Sequence, residues 1–202
     1  MTFAPISHTR RSASRRNARL AACVAAASMT LASTAAWSAV TCFSAPVTIP
    51  ATTAGIYVNL FTGAANVATA SVVGWDFNPW GTSGLFLYVN NAAGAGALVV
   101  GPGTTISALS AGTLISAAST FGTDTTPPDT DTSLYRAGVT PSTFLGLRFV
   151  EGGSTYYGWM ALTTTAPTGH PATINRWCFE NTPNTGIVAG TTPVALQKFS
   201  VE

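Results

Sequence analysis

The chain has 202 residues, 47% of them hydrophobic and only 8% charged, with a formal net charge of +2. That length suffices for one domain with a sizeable core and not for two large ones. Five of the nine basic residues (Arg10, Arg11, Arg15, Arg16, Arg19) lie in the first 19 positions, where no acidic residue occurs; beyond them 4 basic groups face 7 acidic ones, a net of −3. This balance excludes a basic nucleic-acid surface and a polybasic membrane patch, and it leaves few ionisable groups for an active site.

Residues 1–38 have the layout of a secretory signal peptide: a basic start, the small apolar stretch LAACVAAASMTLASTAAW, and an exit at Ala36-Trp37-Ser38. Cleavage is expected near Ser38. The apolar stretch is rich in Ala, Ser and Thr rather than Leu and Ile, which fits a leader better than a permanent membrane span. Leu20-Ala21-Ala22-Cys23 resembles a lipoprotein box but precedes the apolar stretch instead of following it, and Arg15-Arg16 lacks the apolar residues a twin-arginine signal prefers. Ordinary Sec-type export to the periplasm or the outside is therefore expected, with no membrane association once the leader is gone. Cleavage also removes Cys23 and leaves Cys42 and Cys178, an even pair in an exported chain and so a disulfide candidate; two buried free thiols are the alternative.

Beyond the leader, Gly, Pro and Asn punctuate short runs rich in β-branched and aromatic residues, and helical periodicity is absent. Strands are expected in chain order over residues 55–61 (GIYVNLF), 70–77 (ASVVGWDF), 85–90 (LFLYVN), 97–100, 105–109, 143–150 (TFLGLRFV), 155–163 (TYYGWMALT) and 172–180 (ATINRWCFE), with a weaker one in 194–201. The clearest unit is a hairpin turning at Glu151-Gly152-Gly153-Ser154, with Leu145, Leu147 and Phe149 on one face of the first strand. Its return strand is apolar on both faces, as suits an inner strand. The expected fold is a single-domain, two-layer antiparallel β-sandwich over residues 39–190, with a closed β-barrel as the alternative and residues 191–202 as a tail or edge strand. The segment 120–133 (TFGTDTTPPDTDTS) reads as a surface loop.

The mature chain is short of catalytic parts. It has one histidine, His170, in a proline-bounded loop where a solvated turn residue is expected, and it has no G-x-S-x-G or zinc motif. Asp76, Glu151 and Glu180 are the carboxylates a glycoside hydrolase would have to use, Asp76 with Glu151 or Glu180. For Asp76 and Glu180 the ordinary roles are accepting backbone hydrogen bonds or pairing with Arg148 or Arg176. Asp124, Asp129 and Asp131 offer hard oxygens within eight residues and are weak Ca²⁺ candidates, but the spacing lacks an EF-hand pattern and Pro127-Pro128 interrupts it. A solvated acidic loop is expected there, and no cofactor is. Aromatic residues are the remaining resource. Trp159 and Trp177, mid-strand, read as core; Trp80, in what reads as a turn, is the candidate for an exposed ring that stacks on a sugar.

The run Gly74-Trp75-Asp76-Phe77-Asn78-Pro79, the segments FLGLRF (144–149) and TYYGWMAL (155–162), and the ending PATINRWCFENTPNTGIVAG (171–190) resemble a family of uncharacterised secreted bacterial β-rich proteins, some of which end in a PEP-CTERM sorting anchor. The resemblance covers most of residues 55–190 and implies an exported β-rich protein; it brings no activity and no catalytic residues. After Gly190 the sequence TTPVALQKFSVE has neither an apolar helix nor a basic end, so an anchor is not expected. The shared positions are mostly Gly, aromatic and turn residues, which record fold as readily as function. The sequence thus points to a non-enzymatic extracellular or cell-surface protein that binds polysaccharide or other surface material. A carbohydrate-active hydrolase is one alternative; a self-associating matrix component is another, if the run at 85–89 forms a sheet edge.

Overall fold

The computed structural model describes residues 39–90, 97–99, 101, 105–122 and 132–193. The expected leader, the weak strand in 194–201 and the three loop aspartates Asp124, Asp129 and Asp131 lie outside these residues. In chain order the strands are β1 (Val40–Phe43), β2 (Val47–Ile49), β3 (Tyr57–Val58), β4 (Ala65–Asn66), β5 (Phe77–Trp80), β6 (Phe86–Val89) and β7 (Ala97–Val99). They continue with β8 (Leu114–Ile115), β9 (Phe121–Gly122), β10 (Phe144–Glu151), β11 (Ser154–Thr163), β12 (Ala172–Glu180) and β13 (Ile187–Val188). A single helical turn, α1 (Ser133–Arg136), precedes β10.

These strands form an all-β, antiparallel sandwich, not a closed barrel. The larger sheet runs β1-β12-β11-β10-β7-β9, with β2 also on β12, and the smaller runs β4-β3-β5-β6. The spine of the larger sheet is the hairpin of β10 and β11, paired from Phe144↔Ala161 to Glu151↔Ser154, where Gly152 and Gly153 both take positive φ in the two-residue turn. Alternation then sorts the side chains. Leu145, Leu147, Phe149, Tyr156, Met160 and Leu162 face the smaller sheet and join Ile56, Val58, Phe77, Leu87 and Val89 in the main core. Phe144, Tyr157, Trp159 and Ala161 face the other way and pack under the β8–β13 ribbon with Ile115, Ile187 and Ala189. Both faces of β11 are buried because the ribbon adds a small third layer over the larger sheet.

Cys42 and Cys178 sit directly opposite each other on β1 and β12 and are disulfide-bonded across a sequence separation of 136 residues. Trp159 and Trp177 are core residues. Trp177 also ties β12 to the turn after β3, its Nε1–H donating to the Leu60 carbonyl at 3.1 Å.

The sequence reading departs from the structure between residues 55 and 81. Only Tyr57–Val58 of the first expected strand is paired, and residues 69–71 form a 3₁₀ turn where a strand was expected. Here side chains do what strand ladders do elsewhere. Asn59, buried, accepts from Phe61 N–H and Thr62 N–H through Oδ1 and donates from Nδ2 to the Val73 and Gly74 carbonyls. The expected turn at Asn78-Pro79-Trp80 is strand β5, paired with β6 in the register Asn78↔Tyr88, Pro79↔Leu87 and Trp80↔Phe86. Pro79 accepts from Ile56 N–H at 3.1 Å but has no N–H to return. Asn78 Nδ2 donates to the Ile56 carbonyl at 2.9 Å in its place. Residues 105–109 likewise hold no continuous strand, only isolated bridges such as Leu109↔Phe144.

Candidate functional site

The outer face of the smaller sheet carries a stripe of half-buried rings. On β6, Leu87 and Val89 point into the core while Phe86 and Tyr88 point out; on β3, Val58 is in and Tyr57 out; on β5, Phe77 is in and Trp80 out. Trp75, in the segment leading into β5, meets Tyr57 edge-on at a centroid distance of 5.0 Å and Tyr88 at 5.8 Å. The three rings therefore bridge β3 to β6 across β5. Trp80 and Phe86, cross-strand neighbours, stack at 4.9 Å, and the Arg136 guanidinium lies over Phe86 at 4.3 Å from its centroid. Phe86 and Tyr88 are two residues apart on one strand, so the two clusters follow one another at roughly 7 Å. Together they form an aromatic surface ending in a cation.

Fixed backbone positions hold these rings. Asn59 anchors the chain at Val73 and Gly74, just before Trp75, and Asn90 Nδ2 donates to the Trp75 carbonyl at 2.9 Å. Asp76 Oδ2 accepts from Leu60 N–H at 2.8 Å. Trp80 rests on Gly55, which has φ +60°; a Cβ there would lie 2.1 Å from the Pro79 oxygen and 2.5 Å from Trp80 Cβ, so only glycine allows the approach. Arg136 Nε donates to the Leu85 carbonyl, which fixes the guanidinium over Phe86. These contacts fix the rings in one arrangement.

The sequence singled out Trp80, and the structure places it on this face, at the end of strand β5 rather than in a turn. Its neighbours Tyr57, Trp75, Tyr88 and Phe86 were not assigned there. The signal available was the alternation in LFLYV (85–89), with aliphatic side chains on one parity and rings on the other.

The three carboxylates have different surroundings. Glu180 shares the outward parity of Cys178 on β12; it is fully buried and accepts from Ala39 N–H and Thr182 N–H. Asp76 feels the charge of Glu151. Burial is the main cause that pushes the Asp76 carboxyl up to about 7; the Leu60 N–H pulls it down, and the Glu151 charge adds to the rise. Arg148 lies over the Phe121 ring at 4.7 Å from its centroid.

His170 is not the solvated turn residue expected from its prolines. Both ring nitrogens are enclosed; burial lowers its pKa, the Gly81 backbone opposes this, and the Arg136 charge lowers it further. Among the described residues no three His, Cys, Asp or Glu side chains cluster as a metal site, and no helix is long and apolar enough to cross a membrane. Strand β6 does end the pairing order of the smaller sheet. Its entry is already closed: Leu85 N–H donates to the Thr168 carbonyl, and Leu85 O accepts from Thr132 Oγ1 and Arg136 Nε.

Comparison with protein-family models, with curated proteins and with solved structures finds no match to the chain.

Proposed function

We propose that the chain is an exported, non-enzymatic protein that binds polysaccharide on the outer face of its smaller sheet. The observation that carries this reading is the stripe of Tyr57, Trp75, Tyr88, Phe86 and Trp80 on the outer face, with the chain at Trp75 held by part-buried amide hydrogen bonds, while Trp159 and Trp177 are spent on the core. Rings of this kind offer an apolar plane to the C–H face of a sugar, and the polar edges of Tyr and Trp reach its hydroxyls. Export is supported by the signal-like residues 1–38, by the Cys42–Cys178 bridge and by the resemblance to secreted β-rich proteins. The test is a glycan array and a pull-down on insoluble polysaccharides, using wild type, Trp75→Ala and Trp80→Ala. Wild type is expected to bind, and each variant to lose roughly tenfold, about what an aromatic contact of ~1–1.5 kcal/mol contributes. Failure of wild type to bind any glycan overturns the reading.

A second reading, a glycoside hydrolase, rests on Asp76, whose carboxyl burial raises to about 7 and which feels the Glu151 charge, a setting that suits a general acid. Against it, the Asp76 carboxylate is already committed to the Leu60 N–H. Release of reducing ends from a bound polysaccharide, lost in Asp76→Asn, is the result that would favour hydrolysis over binding.

A further inference from the structure

On the opposite side of the molecule, β12 carries a bulge. The register steps from Ala161↔Arg176 to Leu162↔Ile174, so Asn175 has no counterpart on β11. The strands on the other side of β12 break at the same place. β1 covers Trp177–Glu180, β2 covers Ala172–Ile174, and among the described residues nothing pairs Asn175 or Arg176 there. Bulges of this kind re-aim side chains, and here both residues line one hollow of about 190 Å³ with Phe144, Trp159, Ala161 and Gly190.

The lining is chemically specific. Ala161 lies between Phe144 and Arg176 across the strands, and its small side chain leaves the floor open. Phe144 and Trp159 meet edge-to-face at 5.0 Å. The Trp159 indole N–H is already donated to the Thr191 carbonyl, so it is not available to a ligand in the hollow. Asn175 spends one N–H on Thr163 Oγ1 and has further amide capacity. Arg176 is exposed and has no ion pair among the described residues. A single guanidinium matches one negative charge, and its fork fits the two oxygens of a carboxylate. A cavity of about 150 Å³ takes one benzene ring, so this hollow holds one ring with its substituent.

We propose that the bulge hollow is a second ligand site, which takes a carboxylate carried on a single six-membered ring: the acid pairs with Arg176 and Asn175, and the ring sits on Ala161 against Phe144 and Trp159. Two sources share that chemistry, a hexuronate unit of an acidic polysaccharide and a free aromatic acid. The site does not rest on the role of the aromatic stripe, which lies on the other sheet.

The test is a titration of ¹⁵N-labelled protein with D-glucuronate, benzoate and D-glucose, read at the indole N–H signals. At least one of the two acids is expected to give a saturable shift at Trp159 with Trp75 and Trp80 unmoved, and the tighter of the two names the source. D-glucose, and either acid with Arg176→Ala, are expected to bind at least about tenfold more weakly, the loss that goes with a hydrogen bond to a charged group. Arg176 is exposed, so its removal leaves the core intact. No saturable shift with either acid, equal response to D-glucose and D-glucuronate, or full affinity in Arg176→Ala would each overturn the site. Failure of polysaccharide binding at Trp75 and Trp80 would leave this result untouched.

Discussion

Asp76 makes the fold sensitive to pH in a way that can be worked out from its surroundings. Its carboxyl is half-buried, hydrogen-bonded to Leu60 N–H, and subject to the negative charge of Glu151. Burial dominates and raises the pKa from 3.8 to about 7. A carboxyl with a raised native pKa binds its proton more tightly in the folded than in the unfolded chain. Its contribution to stability is therefore full below pH 3.8, declines as the unfolded chain ionises, and is lost once the pH passes about 7. At 1.36 kcal/mol per tenfold change in proton affinity, the whole effect is about 4 kcal/mol. For a domain of this size that corresponds to roughly 8–16 °C in Tm.

Asp76→Asn removes the ionisation while Asn Oδ1 can still accept from Leu60. Thermal unfolding followed by circular dichroism between pH 3.5 and 8.5 compares the two chains. Wild type is expected to lose stability from about pH 4 to about pH 7; the variant is expected to lack that decline and to be the more stable chain at pH 8. Glu151→Gln, which removes only the like charge, should end the wild-type decline at a lower pH. Parallel wild-type and Asp76→Asn curves across the whole range would refute the account of a desolvated carboxyl.

Other consequences follow from the same structure. Replacing both Cys42 and Cys178 by Ala should lower stability by ~2–5 kcal/mol, near the ceiling of about 5 kcal/mol that loop closure sets for a separation of 136 residues; urea unfolding of the variant and of wild type measures it. Intact mass after alkylation should find no reactive thiol at either position until reductant is added. Asn78→Ala should cost ~1–3 kcal/mol in the same urea assay, because it leaves the Ile56 carbonyl facing Pro79 without a donor. Gly55→Ala should destabilise and also weaken polysaccharide binding, since the added Cβ collides with the backbone under Trp80.

The half of the fold that sequence reveals is the half that ordinary strand ladders hold. β10, β11 and β12 are eight to ten residues long, and each alternates against two distinct apolar layers, so their patterns fix boundaries and faces within a residue or so. The segment from 55 to 81 follows different rules. Asn59, Asp76 and Asn78 satisfy backbone groups there through side-chain oxygens and amides, which releases the chain from the regular pairing that alternation detects. An Asn-Pro pair ordinarily marks a turn. It becomes part of a strand here because Asn78 supplies the donor that Pro79 lacks. Nothing local in the sequence distinguishes an asparagine that ends a strand from one that repairs it.

The aromatic face shows the same division. Phe86 and Tyr88 could be placed outward from sequence alone, because Leu85, Leu87 and Val89 claim the other parity of a short strand. Trp75 could not, because it precedes β5 and no alternation sets its direction. Its place between Tyr57 and Tyr88 is set by amides 15 residues away on either side, Asn59 holding Gly74 and Asn90 holding Trp75. A buried asparagine bonded to two carbonyls does not relax when a neighbouring ring moves, since breaking those bonds without replacement costs ~1–3 kcal/mol for each group left bare. The loop is thus stiff where a loop would ordinarily yield. A ring that served only to cover the β5 backbone would need no such bracing, whereas a ring that must meet a ligand plane gains affinity from every degree of freedom removed beforehand. On the proposed function, Asn90→Ala, which removes the bond to the Trp75 carbonyl but none of the rings, should weaken polysaccharide binding as Trp75→Ala does.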